Sequence, residues 1–451
     1  MARVHGRFPT HGPDLRALLA SCHADPDDDT ARLVLADWLQ EHDDPRGEVM
    51  RLQSQIAALP AGAPEYDVLF DRHQKWWKKY GGLWKKEVGD VMWDRGPHDR
   101  GLPVIGYHGG EDDWLHTSTL QGQTTAGGYP LPVVITTGWS GMTWVLVEDP
   151  LASESDLDFS AADRAKAIVD VSFEPFERAP WAGSPTPIGI GFPWGVVVTP
   201  RIINRVAKIP NLRGFSFGDA EPAPDLLPRI GKLTHLEHLD LGGTPLDDDG
   251  VKSLAPLKRL RTLIATEATI TDTGATGLAK FTELRELQLG SRHLTAAGYQ
   301  SLAKLSMLEV LALKKADNTA IQHLSALTRI RKLDLRGTKI TGRGIENFPL
   351  LTHLNLGSTR ASDAGLANLA ALTRLRHLNL GETRITGATL AHLPGLRWLE
   401  DVWAFDTAAD NKSLVHLERL KNLNTVYLMR TRVTKTGIAG LRKKLRKMNV
   451  H

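Results

Sequence analysis

The chain has one cysteine in 451 residues, Cys22. That excludes an intrachain disulfide framework and a cysteine-built zinc cluster, and it suits a reducing compartment. Cys22 falls in a helix expected over 14–23, where a small buried hydrophobe explains it better than a nucleophile does. Long apolar runs are also missing. The opening "MARVHGRFPTHGPDLRALLASC" holds no stretch long enough for a signal-peptide core, and no later stretch approaches the roughly eighteen apolar residues of a membrane span. A cytoplasmic protein with no membrane contact is expected. Hydrophobic residues still make up 41% of the chain, enough for real cores and too many for a disordered chain.

Chemical motifs are lacking too. Asp25, Asp27 and Asp29 match the first three ligands of a calcium loop, but Thr30 stands where the turn needs glycine and Ala36 where the site needs glutamate. The cluster reads instead as a helix start, where short acids accept free N–H groups. "GWSGM" misses a nucleophile elbow at Met142, and "GIGFPWG" lacks the last glycine of a dinucleotide fingerprint and carries Pro193 where a helix should begin. His108 and His116 have no recognised metal spacing. No catalytic, cofactor-binding or metal residue is therefore assigned, and no cofactor is expected.

What is present is a repeat. L-x-x-L-x-L recurs as "LEHLDL", "LRELQL", "LEVLAL", "IRKLDL", "LTHLNL" and "LRHLNL", with looser copies starting at Leu212, Leu260, Leu396 and Leu423. The ten starts are 21 to 27 residues apart, mostly 24. After each hexamer a glycine turn leads to an apolar residue such as Ile340, Ala361 or Ile385, then to a short helix carrying Ile345, Leu366 or Leu390 inward. One strand and one helix, each with a single apolar face, can be covered only by the next copy, so the units must stack. The pattern resembles the leucine-rich repeat family, in its strand-plus-helix class. The resemblance implies an α/β solenoid, a horseshoe with a parallel concave sheet on the order of 45 Å long for ten strands. "TPRIINRVAKIPNL", with Pro200 at a first helical position, reads as a degenerate opening repeat, and Leu441 and Leu445 of "LRKKLRKMNVH" as the closing cover.

Upstream, helices are expected over about 28–41 and 45–59. Asp37, set among Leu33, Val34, Trp38 and Leu39, needs a partner there, Arg46 or Arg51. "ADWLQEHDDPRGEVMRLQ" resembles the bacterial repeat-companion domain, a helical module found ahead of leucine-rich or WD-type repeats. Leu33, Ala36, Asp37, Trp38, Leu39, Glu41, Asp44, Pro45, Arg46, Gly47, Glu48, Arg51, Leu52 and Gln53 carry that likeness, which implies architecture and no activity. Residues 100–200 hold β-branched runs, "LPVVITTGW", "TWVLVEDP", "IVDVSFEPF" and "WGVVVTP", split by Gly and Pro, and five tryptophans. The expected organisation is a helical repeat-companion domain (1–60), a helical extension (61–99), a β-rich segment of unknown type (100–187), a degenerate capping repeat (188–211) and the leucine-rich repeat domain (212–451).

Function is sought on the residues between inward leucines. One outward column runs His353, His377, Trp398, Thr425 and its neighbour Asn355, Asn379, Glu400, Tyr427; with Arg376 beside them, these give polar donors next to aromatic anchors. His353, Asn355, Arg376, His377, Asn379, Trp398, Glu400 and Tyr427 are the candidate protein-binding face. A non-enzymatic protein-binding scaffold is expected, with an enzyme sited in residues 100–200 as the alternative. Residues 1–205 carry a net −10 and residues 206–451 a net +13, yet no interleaved basic and aromatic motif points to nucleic acid. The protein partner and the oligomeric state stay open.

Overall fold

The computed structural model describes residues 29–59, 65–88, 197–208, 212–218, 221–223, 225–445 and 449–450, with short segments elsewhere. They fall into two compact units, Met1–Ala223 and Pro224–His451.

In the first unit, a helix begins at Asp29, the last acid of the cluster, α1 (Asp29–Glu41), followed by α2 (Arg46–Ala58) and α3 (Glu65–Val88); Asp25 and Asp27 lie outside the described residues. Pro45 precedes α2 with φ −65°, the value its ring enforces. Leu35, Ala36, Leu39 and Met50 pack together with Trp38 and Leu18 against them. Gly47 is required there, because a Cβ would lie 2.4 Å from the Ala36 carbonyl oxygen. Asp37 does pair with Arg51, but half-exposed rather than buried. Arg46 goes elsewhere: its Nε donates to Asp44 at 3.0 and 2.9 Å, and Asp44 is the buried acid. The Trp76 indole donates to the Pro45 carbonyl at 2.8 Å and ties α3 to the α1–α2 corner. The helix expected over 14–23 lies outside the described residues except for Leu18.

Beyond these helices come β1 (Thr125–Ala126), β2 (Tyr129–Pro130), β3 (Val133–Thr137), β4 (Thr143–Val147), β5 (Ile188–Gly191), β6 (Val197–Val198), β7 (Leu212–Ser216) and β8 (Glu221–Pro222). β3 and β4 pair antiparallel, while β4, β5 and β7 run parallel. Strands were expected at β3, β4 and β6, in "LPVVITTGW", "TWVLVEDP" and "WGVVVTP"; "IVDVSFEPF", "GWSGM", His108, His116, Trp114, Trp139, Trp181 and Trp194 lie outside the described residues. The helix Pro200–Val206 starts at the expected proline, with the Ile202 N–H donating to Thr199 Oγ1.

The second unit is a ladder of ten strands, each parallel to its neighbours: β9 (His238–Asp240), β10 (Thr262–Ala265), β11 (Glu286–Leu289), β12 (Val310–Leu313), β13 (Lys332–Asp334), β14 (His353–Asn355), β15 (His377–Asn379), β16 (Asp401–Trp403), β17 (Thr425–Tyr427) and β18 (Asn449–Val450). The period-2 pattern fixes which side faces in. Leu239, Leu263, Leu287, Leu311, Leu333, Leu354, Leu378, Val402 and Val426 form one buried row across the sheet. Burying each such side chain stabilises by about 1.5–3 kcal/mol. The opposite wall is made of short helices and 3₁₀ turns whose Ile345, Leu366 and Leu390 point inward as expected. At the C-terminal end Leu441 is buried, and the final residues add β18, a strand the sequence pattern did not suggest.

One register differs from expectation. The copy assigned to Leu396 starts at Leu399, because His377 pairs with Asp401 and Asp401 with Thr425, steps of 24 residues each. "LRWL" imitates the motif, but Val402 and Ala404 are the residues that fill the core. Trp398 and Glu400 therefore leave the two strand columns, and Asp401 and Trp403 take their places.

A second set of bonds joins successive repeats along the helix side. Asp248 accepts the N–H and hydroxyl of Thr271, and Asp272 accepts those of Thr295. Asp363 does the same for Thr386 and Thr389, while Asn318 serves Thr341 and Asn411 serves Thr434. The Thr271 and Thr295 side chains also cap their own helices, so one residue serves both the turn and the stack. The Thr295 donors hold Asp272 below the usual carboxylate range.

Candidate recognition surface on the open sheet face

The first residue of each strand points away from the leucine row, and the parallel register aligns these residues. His353 and His377 stack with ring centroids 4.3 Å apart and planes 25° from parallel. Asp401 extends the column, its Oδ2 2.7 Å from His377 Nδ1. His353 Nδ1 lies 2.9 Å from Thr352 Oγ1, whose own proton goes to the Arg331 carbonyl at 3.1 Å. The network therefore assigns the ring proton to Nδ1 in both histidines: one donates to a hydroxyl, the other to a carboxylate.

The neighbouring column divides into two parts. Asn355 and Asn379 are 3% and 5% exposed, and their Oδ1 atoms accept the N–H of Gly357 and Gly381 at 3.0 and 2.9 Å. Asp240 holds Gly242 and Asp334 holds Arg336 in the same way. These side chains close the turn after the strand, the usual use of a short Asx side chain, and they are not the exposed donors expected. Further along, Trp403 and Tyr427 stack at 5.5 Å and 11°, both half-buried.

Arg376 and Glu400 sit one position before the strands and bind each other, with Arg376 Nε donating to Glu400 Oε1 at 2.9 Å. Arg376 is 2% exposed, and this pair belongs to a row in which Glu309 accepts Arg285 at 3.0 Å and meets Arg331 at 3.4 Å. Of the eight residues expected on the face, His353, His377 and Tyr427 come together on its open side. Asn355 and Asn379 serve turns, Arg376 and Glu400 serve the edge row, and Trp398 is buried at 8% exposure. Asp401 and Trp403 were missed. Their signal was available: restoring a 24-residue step at Leu399 brings both into the columns.

At the N-terminal end of the ladder, His238 differs in character. Burial, with Arg261 beside it, pushes its pKa down to about 3, and its Nδ1 lies 3.0 Å from Thr262 Oγ1. It is a neutral structural ring. Among the described residues, His377, Glu400 and Asp401 are the group whose donor atoms, within 4.8 Å of one another, could share a cation. Arg376 and His377 already engage the two carboxylates, so the cluster is satisfied without one.

A family profile described as leucine-rich repeat matches residues 232–255. No curated protein matches the chain. Among solved structures, an internalin from Listeria monocytogenes is 20% identical with a TM-score of 0.40, covering 64% of this chain and 94% of its own. A leucine-rich repeat protein of Leptospira interrogans is 16% identical with a TM-score of 0.28, covering 59% of this chain and 89% of its own. Internalin C2 of Listeria monocytogenes is 23% identical with a TM-score of 0.28, covering 46% and 76%. The fold is a leucine-rich repeat solenoid, an unclosed parallel sheet backed by short helices, with a small helical module in the N-terminal unit. No described helix is long and apolar enough to cross a membrane.

Proposed function

We propose that this chain is a non-enzymatic scaffold that binds a protein partner on the open sheet face around His353, His377, Asp401, Trp403 and Tyr427. The observation that carries this reading is the alignment of a stacked histidine pair, a carboxylate and a stacked Trp–Tyr pair on adjacent, hydrogen-bonded strands. Such a row is rigid before binding, so little side-chain entropy is lost when a partner docks. Aromatic rings beside polar groups are also what protein interfaces concentrate at their centres. Within this proposal Trp398 and Glu400 support the face from beneath and from its edge.

The helical module, as a repeat-companion domain over 1–60, is part of the same proposal, as are the remaining divisions at 61–99, 100–187, 188–211 and 212–451. The single cysteine supports a reducing, cytoplasmic setting.

The test places a photo-crosslinking amino acid at position 429, beside the Trp–Tyr pair, in the full chain. The same crosslinker at Lys258, far along the ladder, serves as control. A partner trapped from position 429 and lost in the Trp403→Ala/Tyr427→Ala variant is expected. A partner trapped equally in that variant, or equally from position 258, would overturn the reading.

A further inference from the structure

A different part of the second unit carries a cleft that the sheet-face reading does not use. The chain between the last inward strand residue and the following helix cap spans six positions in most repeats, as from Leu289 to Thr295 and from Ala265 to Thr271. From Leu313 to Asp317 it spans four. The shorter turn also places Ala316 where the flanking repeats have Leu294 and Ile340. Two missing residues and a smaller side chain leave a cleft of about 490 Å³.

The cleft's lining has an unusual charge. Arg292, Lys314, Lys315 and Lys339 border it, and among the described residues none of their side chains has an ion pair or hydrogen bond. Tyr299 also lines it. Tyr299 is 4% exposed, yet its hydroxyl has no hydrogen-bond partner among the described residues. The hydroxyl is open to solvent, so it can donate to water or to a ligand in the cleft. One carboxylate, Asp317, is there as well, and its Oδ1 already accepts the Thr319 N–H at 2.9 Å. Burial, with Asp317 and Asp272 nearby, pushes the Tyr299 pKa up to about 12, which keeps its O–H a donor at neutral pH.

We propose that this cleft binds a phosphomonoester, with Tyr299 O–H and the four cations donating to the phosphoryl oxygens. Arg and Lys match a dianion of that shape through charge-assisted bonds. The volume falls in the range of about 300–1,000 Å³ typical of small-ligand sites, so the group bearing the phosphoryl enters with it.

Isothermal titration calorimetry of the full chain tests the proposal with O-phosphoserine, a phosphoserine peptide, inorganic phosphate and serine. One site per chain is expected for the phosphorylated probes and none for serine; whichever of free phosphoserine and peptide binds tighter identifies the carrier. Tyr299→Phe should weaken binding about tenfold, the worth of one hydrogen bond to a charged group. Lys314→Gln with Lys339→Gln should weaken it further. Lys258→Gln with Lys280→Gln removes the same charge elsewhere and should leave binding unchanged, and thermal unfolding confirms that each variant is folded. No saturable heat, equal loss in the two lysine pairs, or undiminished binding in Tyr299→Phe would overturn the assignment.

Discussion

Asp363→Ala should be among the most damaging surface-edge changes in the second unit, and its cost can be worked from the bonds it removes. Asp363 accepts the Thr386 N–H and hydroxyl at 2.9 and 2.7 Å, and those of Thr389 at 3.1 and 2.5 Å. Thr389 is fully buried, so its two donors would be stranded, at about 1–3 kcal/mol each before water enters the space left by the carboxylate. Thr386 is more exposed and finds water readily. The expected loss is about 3 kcal/mol, which at a urea slope of about 3 kcal/mol/M lowers the unfolding midpoint by about 1 M. Asp363→Asn keeps an acceptor and should cost about a third as much. Acid should expose the same bonds. Burial alone would raise the Asp363 pKa, but the Thr386 and Thr389 donors outweigh it and hold the carboxyl below its usual 3.8. Its contribution is thus complete above about pH 4 and lost as pH falls through the lower folded value. Urea melts followed by circular dichroism measure both effects. If Asp363→Ala costs no more than Asp249→Ala, whose carboxylate pairs with Lys252 on the exposed helix face, the inter-repeat ladder is not what stabilises the stack.

Three further outcomes follow from other sites. Gly47→Ala sets a Cβ against the Ala36 carbonyl and the Gln40 side chain, and should destabilise the α1–α2 packing by about 1–3 kcal/mol; hydrogen exchange across 29–59 should rise, and unchanged protection would refute the close approach. His238 is neutral when folded and has its ordinary pKa of 6.5 when unfolded, so stability should fall as pH drops from 6.5 toward 3, by at most about 1.4 kcal/mol per pH unit. His238→Gln should flatten that slope, and identical slopes for the two proteins would dismiss the depressed pKa of this half-buried ring. Glu400→Ala removes the carboxylate to which the almost fully buried Arg376 guanidinium donates and should cost about 3 kcal/mol, whereas Arg376→Met/Glu400→Met together should cost much less; comparable costs for the two variants in urea melts would contradict this.

The repeat was legible because its signal is redundant. A leucine row that every neighbour must cover recurs copy after copy, so one imperfect hexamer does not hide it. The site was less legible for two physical reasons. First, a strand pattern says which residues point outward but not which then fold back: Asn355 and Asn379 have the chemistry of interface donors, and the glycine N–H two residues later takes them first. Second, a local motif match competes with the global period. "LRWL" fits the hexamer better than "LEDV" does, yet the stack obeys the 24-residue step set by its neighbours, and a three-residue slip moved Trp398 and Glu400 onto the face on paper and Asp401 and Trp403 off it. The Asp37–Arg51 pair shows the same limit in the helical module. Sequence offered Arg46 or Arg51 as the partner and did not give the exposure of the pair, since an apolar neighbourhood in a helix lies on all sides of a residue that itself faces water.

The solenoid separates its tasks by position within the repeat. The leucine row carries the packing, the Asp/Asn-to-Thr bonds and the Arg–Glu row bind one repeat to the next, and Asx side chains close the turns after the strands. Because those duties are met by fixed positions, a strand-face residue outside them can change without disturbing the stack. That freedom gives His353, His377 and Asp401 their meaning, and Trp403 and Tyr427 take the column position that Asn355 and Asn379 use to close turns without breaking the ladder: these side chains stack on or bond to one another across strands. The same logic applies to the shortened turn at 314–317. Deleting two residues there leaves the ladder register intact, with Val310 opposite Lys332 and Leu311 opposite Leu333, so the stack tolerates the loss and gains a recess.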